Sequence, residues 1–426
     1  MRVLIVTYYW PPAGGSGVQR WLKFVKYLQD FGITPVVYTV ENPAYAIEDA
    51  TLLAEIPEGV EVLRQPIWEP YKLANIFSRG KATQTSVGFL DEKKSLFGKF
   101  ATYVRANYFI PDARKFWVKP SLSYLEKYLK AHPVDLVITT GPPQSVHLIG
   151  LGLKEKSKLK WIADFRDPWT AMGYFKSLPL TQRTIKIHEH LRIKVLRSAD
   201  AVVVVGKTMQ REYLRFNKMT SVLTNGFDIE LSDSKATLDP HFTISHIGIM
   251  NEDQNPRVLW KVLSELKHEI EGFSENLKIQ LIGKVAPSVL EQISSSGLNE
   301  QLRNLGYLPH KEVVVYQKKS QVLLVCINEV PSANLIITGK IFEYLAAKRP
   351  VLAIGPKTGD LADIINHTHS GTVFEAHHHN ELKEQVRSMY KDFSNNCLHV
   401  QSKNIEQYHR REITRKLVHL IKMITG

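Results

Sequence analysis

Apolar strand-like runs alternate with helical stripes along this chain, and the rhythm starts twice. Val3-Leu4-Ile5-Val6 has no polar interruption, as a strand covered on both faces requires. A loop of prolines and glycines follows, Pro11 to Gly17. Then Val18, Trp21, Leu22, Val25 and Leu28 recur at helical spacing, and Gly32 stands where a helix C-cap belongs. The pattern predicts further strands at 36–40, 134–139, 160–164 and 201–205. After the turn signal Asn225-Gly226 it predicts strands at 243–248, 277–282, 321–327 and 350–354. Helices fall between them, one at 340–347 and one with Asn255 as N-cap and Pro256 in its first position. The end of the chain, about 402–424, reads as helix with no strand after it. Such a βα rhythm makes doubly wound, mainly parallel sheets. The expected fold class is therefore α/β, two tandem Rossmann-like domains facing a cleft. Residues 1–228 form the first, 229–400 the second, and 401–426 a helix packing back toward the first.

A chain of 426 residues is too long for one small core, which agrees with two domains. Its two cysteines, Cys326 and Cys397, cannot make a disulfide framework and point to a reducing, cytoplasmic setting. No run approaches the roughly 18 apolar residues of a spanning helix, and the opening strand followed by prolines is unlike a signal peptide. The net charge of +13 is uneven. Up to residue 230 there are 32 Lys/Arg against 21 Asp/Glu; beyond it, 23 against 21. Within 72–130 the count is 12 against 4. The rhythm breaks between about 69 and 130, which reads as a basic, aromatic insertion, helical in pieces. It carries Phe89, Phe97, Phe100, Tyr103, Tyr108, Phe109, Phe116, Trp117 and Tyr124. No zinc-finger spacing or RNP-like aromatic motif accompanies the charge, so nucleic acid is not the expected partner. Basic residues contribute roughly 1 kcal/mol each at an anionic lipid surface, and aromatics insert at such interfaces. The other reading is a solvated basic face with its aromatics in the core.

Four segments stand out chemically. In the first loop, Gly14, Gly15 and Ser16 precede a helix, so backbone N–H groups and the helix N-terminus would face a ligand. The spacing is not GxGxxG, because Arg20 takes the place of the last glycine, and no Gly-Lys-Ser/Thr follows; a tight strand-to-helix turn is the alternative. Asp164-Phe165-Arg166-Asp167 follows a predicted strand. Asp167 and Asp164 are candidate carboxylates for a sugar or acceptor hydroxyl, with Arg166 beside them; an internal Asp–Arg pair is the alternative. In Thr338-Gly339-Lys340-Ile341-Phe342-Glu343, Lys340 and Glu343 share a helical face. A lysine in a first turn opposes the helix dipole unless an anion such as a diphosphate sits there, and Glu343 would accept from a ribose diol. Lys284, after a strand ending in Gly283, is either a second phosphate ligand or a solvated cation. Tyr307, in Gly306-Tyr307-Leu308-Pro309, lies in a loop that would frame a base or simply turn the chain. His147 follows Gly141-Pro142-Pro143 by about one turn and is either an acceptor-side residue or a satisfied core histidine. His377-His378-His379 is a run rather than a spaced ligand set, so no metal and no other cofactor is expected.

Taken in order, these segments resemble the family-4 glycosyltransferases of the GT-B fold over nearly the whole chain. The opening strand with its glycine loop is similar to theirs. So are Asn225-Gly226-Phe227-Asp228, Ile247-Gly248, Gly306-Tyr307-Leu308-Pro309, and Glu343 with Leu345-Ala346-Ala347 and Pro350-Val351. The resemblance implies sugar transfer from a nucleotide-sugar, with retention and without a bound metal. Donor binding would fall to the second domain and acceptor binding to the first. Helix dipole and lysine charge would stabilise the leaving diphosphate. Two positions depart from the family: Leu335 stands where a first glutamate is common, and Arg166 near the place of a cleft histidine.

The expected function is a hexosyl- or related glycosyltransferase acting on a cell-envelope or polysaccharide acceptor, glycan or lipid-linked. Its expected location is the cytoplasm, with peripheral attachment to the inner face of the cytoplasmic membrane as an option. A non-hydrolysing sugar-nucleotide 2-epimerase and a non-catalytic sugar- or nucleotide-binding protein are the alternatives.

Overall fold

A computed structural model describes residues 1–43, 45, 47–69, 96–170, 178–228 and 237–426, without the side chains of 16, 96 and 97. The chain divides into two compact units, Met1–Asn225 with Arg410–Gly426, and Gly226–His409. The second boundary lies at Arg410, not near 401, because residues 401–409 stay with the second unit: Phe227 N–H donates to the Tyr408 carbonyl and Ile405 lies in that unit's core.

In the first unit the strands are β1 Arg2–Val6, β2 Thr34–Val40, β3 Glu61–Gln65, β4 Leu136–Gly141, β5 Lys160–Phe165, β6 Ala201–Val204 and β7 Thr220–Val222. They form one parallel sheet in the order β3-β2-β1-β4-β5-β6-β7. The helices are α1 Ser16–Asp30, α2 Leu96–Tyr108, α3 Lys115–Ala131, α4 Ser145–Ser157, α5 Gln182–Ser198 and α6 Lys207–Tyr213. The second unit holds β8 Phe242–Ile247, α7 Arg257–Glu269, α8 Phe273–Asn276, β9 Leu277–Ile282, α9 Pro287–Ser295, β10 Leu302–Gly306, α10 His310–Lys319, β11 Val322–Cys326, α11 Lys340–Ala347, β12 Val351–Ile354, α12 Asp360–Thr368, β13 Gly371–Phe374 and α13 His379–Ser394. Its parallel sheet runs β10-β9-β8-β11-β12-β13. The last helix, α14 Arg410–Thr425, packs beside α1, with Ile413, Leu417, Leu420 and Ile421 in the first unit's core.

Each sheet is covered on both faces, which is why its interior strands read as unbroken apolar runs. In the second unit one face packs Leu259, Leu263, Ile279 and Leu324 against α7. The other packs Ile247, Leu323, Val325, Phe342 and Leu345. Fully burying one such side chain contributes roughly 1.5–3 kcal/mol.

Two local expectations are corrected. Helix α7 starts at Arg257 with Pro256 as its cap residue, and the Asn255 side chain accepts from the Trp260 indole at 2.8 Å instead of capping. The predicted insertion at 69–130 includes, at its end, a regular helix of the βα alternation. Helix α3 is a crossover packed on the sheet: Trp117 is buried and stacks on Tyr38 at 5.1 Å, and the Tyr38 hydroxyl donates to Ser121. Phe100 and Tyr108 stay in water at 64% and 66% exposure. Residues 70–95, with Phe89, and the Phe97 side chain lie outside what is described.

Candidate functional site

In a doubly wound sheet the carboxyl ends of the strands diverge where the connections reverse direction, and polar groups gather there. The reversal lies between β1 and β4 in the first sheet and between β8 and β11 in the second.

In the second unit, β8 ends at Ile247 and the chain turns through Gly248 at φ +109. Neighbouring β9 ends at Ile282 and turns through Gly283 at φ +120. Both conformations are natural to glycine alone. The space is also spoken for. A Cβ on Gly283 would stand 2.6 Å from the Gly248 carbonyl oxygen, and one on Gly248 would stand 2.6 Å from Cε of Lys340. The Lys340 side chain, from the first residue of α11, therefore lies across this double turn. Its Nζ is 2.8 Å from Nε2 of His246 and 2.9 Å from the Ile249 carbonyl oxygen. His246 is wholly buried on β8, and its Nδ1 is 3.2 Å from the Leu324 carbonyl of β11. The ammonium only donates, so Nε2, 2.8 Å from Lys340 and 3.3 Å from the Ile249 carbonyl, offers its lone pair to the nearer lysine, and Nδ1 carries the proton toward the Leu324 carbonyl. Burial, and then the Lys340 charge, keep this imidazole well below its ordinary pKa and neutral. The Lys340 ammonium is itself pushed down to about 8 by burial, against the raising effects of Cys326 and Glu343. Burial pushes the Cys326 thiol up to about 12, so it stays protonated.

Glu343 does not pair with Lys340; it accepts from Nε2 of Gln317 on α10 at 2.6 Å. The Tyr344 hydroxyl accepts from the Ile247 N–H at 3.0 Å and lies 3.4 Å from the Leu324 carbonyl, tying β8 to β11 beneath the lysine. Thr338 and Gly339 lead into the helix, but a Cβ on Gly339 would meet nothing within 4 Å. Gly248 and Gly283 instead combine positive φ with crowding that requires glycine. Lys284 is exposed beyond Gly283, and Tyr307 is 89% exposed beyond β10.

The first unit's switch point is organised around a buried ion pair. Asp164, at the end of β5, is 0% exposed. It receives Arg20 Nη2 at 2.8 Å and Nε at 3.2 Å, Trp21 Nε1 at 2.8 Å and Thr140 Oγ1 at 2.9 Å. Burial would raise its pKa, but the Arg20 guanidinium and these bonds outweigh it and hold the carboxyl low. Asp164 is fully buried and already meets four donors, so the alternative reading, an internal Asp–Arg pair, describes it in this structure. Arg166 donates to the Gly141 and Pro142 carbonyls, and its guanidinium lies where a Cβ on Gly17 would be. Asp167 is half-buried with no hydrogen bond among the described residues, and burial raises its pKa against the pull of Arg166.

The glycine loop folds onto its own chain. Gly14 N–H donates to the Ile47 carbonyl, a Cβ on Gly14 would stand 2.8 Å from Ile47 Cγ2, and Gly15 takes φ +94 to enter α1. Ser16 begins that helix. His147, on α4, is wholly buried, bonded to Thr139 Oγ1 through Nδ1 and stacked on Phe165 at 4.3 Å. Burial pushes it down to about 3, so it is neutral. Its Nε2 and both amide atoms of Gln144 are buried without a hydrogen-bond partner. Gly141 lets them converge, for a Cβ there would stand 2.6 Å from His147 Nε2 and 2.9 Å from Gln144 Oε1. Buried polar atoms in this state are uncommon.

One group among the described residues has metal-ligand proximity: Glu375, His377 and His378, with ligand atoms within 4.8 Å of one another. Their contacts are already local, since His378 Nδ1 accepts from the Glu375 N–H at 3.1 Å.

Sequence reasoning missed His246, Gln317, Gly17 and Gln144. His246 stands one residue before the carboxyl end of β8, and an imidazole at that point of a strand was the signal to follow.

The family described as "Glycosyl transferases group 1" matches residues 241–392, inside the second unit. No curated protein matches the chain. Among solved structures, sucrose-phosphate synthase from Thermosynechococcus elongatus is similar at 13% identity and TM-score 0.60, covering 100% of this chain and 97% of that one. A variant of TarM from S. aureus, crystallised with UDP, has 12% identity, TM-score 0.57 and coverage of 99% of each chain. UDP-GlcNAc 2-epimerase from Methanocaldococcus jannaschii follows at 9% identity and TM-score 0.52, covering 99% of this chain and 100% of that one. Likeness at such identities is likeness of fold, and the sequence match is to the group rather than to family 4 in particular. The chain has the GT-B fold, and its residues 241–392 match the family described as group 1 glycosyl transferases.

Proposed function

We propose that this protein transfers a sugar from a nucleotide-sugar to a cell-envelope or polysaccharide acceptor, glycan or lipid-linked, with retention and without a bound metal. The observation that carries the donor half is Lys340. It is a cation at the switch point of the second sheet, bonded among the described residues only to a neutral imidazole and a backbone carbonyl. A half-buried cation without a bonded carboxylate is costly, and a diphosphate would neutralise it. Glu343, one helical turn on, is the candidate for the ribose diol. Lys284, Thr338, Gly339 and Tyr307 are its candidate companions on the same sheet edge. On the acceptor side, His147 Nε2 and Gln144 are candidate hydroxyl partners, with Asp167 as the candidate carboxylate and Arg166 beside it. The protein crystallised with UDP among the similar structures supports a uridine nucleotide as the first donor to try.

The test is binding and turnover with a panel of nucleotide-sugars. Lys340→Ala is expected to weaken donor binding at least tenfold, since a charged hydrogen bond contributes about 1.5–3 kcal/mol. Glu343→Ala is expected to weaken it several-fold. Unchanged donor affinity in both variants would sink the assignment. The epimerase reading makes a separate demand: an epimerised nucleotide-sugar formed with no acceptor present.

Attachment to an anionic membrane is part of this proposal. No helix among the described residues is long and apolar enough to cross a membrane. Phe100 and Tyr108 are exposed on α2, which also carries Lys99 and Arg105. Flotation with phosphatidylglycerol vesicles at low salt should carry the protein upward, and Phe100→Ser with Tyr108→Ser should leave it in the lower fraction.

A further inference from the structure

We propose that His246 is the positioning residue of the donor site: its buried Nε2 takes one N–H of Lys340 and aims the ammonium over the Gly248 turn, toward a nucleoside diphosphate. This rests on the donor-site reading above. The reaction needs the lysine's charge; what the fold adds is its aim. A free lysine side chain explores many rotamers, and ordering it costs free energy each time a ligand binds. Here the stem is confined by the wall of Gly248, the Ile249 carbonyl takes a second N–H, and His246 takes the first. The ammonium has three N–H groups. Two are used, so the third has a defined direction before any ligand arrives.

His246 is suited to this by what surrounds it. It belongs to β8, the central strand at the switch point, and its ring is locked through Nδ1 to the β11 carbonyl of Leu324. A carboxylate in its place would neutralise Lys340 and compete with the diphosphate. A neutral acceptor orients the cation and leaves its charge for the ligand. Among the described residues, the titratable groups facing Lys340 are His246, Cys326 and Glu343, and the one that shifts His246 is Lys340. At neutral pH the imidazole and the thiol are uncharged, so the lysine is the group whose titration the ligand senses. A bound diphosphate favours the ammonium. Above the range near pH 8, where Lys340 loses its proton in the free protein, binding must therefore take up a proton.

The experiment is calorimetry with UDP, GDP and ADP from pH 6.5 to 9.5, in two buffers of different ionisation enthalpy. The wild type is expected to bind one of them best and to lose up to tenfold in affinity per pH unit above about 8, taking up a proton there. His246→Gln, which keeps an acceptor, should stay within about threefold of wild type. His246→Leu, which removes it, should bind about tenfold more weakly, and its loss of affinity should begin at a lower pH. Lys340→Ala should bind weakly with no proton uptake. Each variant is first checked for a wild-type unfolding profile. A nitrogen-15 titration of the Lys340 ammonium in wild type and His246→Gln gives the same answer without the apolar variant. If His246→Leu keeps wild-type affinity and pH midpoint while Lys340→Ala is weak, the positioning role is wrong and the donor site stands. If Lys340→Ala matches wild type, the donor site itself is wrong, and this proposal falls with it.

Discussion

The two switch points hold their charges in opposite ways. In the first unit the buried carboxylate of Asp164 meets a buried guanidinium, an indole N–H and a hydroxyl, so both charges are answered inside the protein. In the second unit the ammonium of Lys340 bonds, among the described residues, only to a neutral imidazole and a carbonyl. A closed pair of this sort holds strand ends and helices together; an open cation is an unfinished interaction that a ligand completes. The same place in the same architecture thus serves structure in one unit and, on the proposed reading, binding in the other.

The largest expected effect comes from opening the closed pair. Asp164→Ala leaves the Arg20 guanidinium buried without its partner and should cost about 3–5 kcal/mol of stability, read as a lowered urea midpoint. A change under about 1 kcal/mol would show that the pair is not sealed as described. Next comes the turn beneath the lysine. Gly248→Ala places a side chain at φ +109 against Lys340 Cε, costing about 1–3 kcal/mol, and should weaken donor binding as well; Gly339→Ala, with open space around it, should leave stability unchanged. Lys340→Ala should leave stability unchanged or raised while donor affinity falls, the reverse of Asp164→Ala. If Lys340→Ala unfolds the protein at the same low urea concentration, the two switch points do not differ in kind. The smallest effect is in pH. His147 is neutral in the fold, with a pKa near 3, and about 6.5 when unfolded. Its contribution is complete above pH 6.5 and is lost as pH falls toward 3, at no more than about 1.4 kcal/mol per pH unit. Stability measured from pH 7 to 5 should fall less steeply in His147→Gln.

The interior strands β1, β2, β4, β5, β6, β8, β9, β11 and β12 are all legible as apolar runs or βα alternation. The strands that escape such a reading are β3, β7, β10 and β13, the four sheet edges. Their burial is partial, as in Leu302–Gly306, where no residue is fully buried, so nothing forces an apolar run there. The site divides along the same line. Lys340 and Glu343 are visible because a lysine in a first helical turn is locally unfavourable. Arg20 and Asp164 are not visible as a pair across 144 positions, nor Lys340 and His246 across 94.

The sequence by itself determined the α/β class, the restart after Asn225 and the segments that reach the strand ends. Periodicity and turn chemistry are local, and burial on both faces of a sheet imprints them on the chain. Only the tertiary structure decided which charges are closed and which are open. That depends on strand order: β8 lies beside β11 and β1 beside β4, and this brings residues far apart in the chain to within one hydrogen bond. Asp164 and Lys340 read alike along the chain, each an ionisable residue at an element's end. The number of partners waiting for each in the folded protein is what separates them.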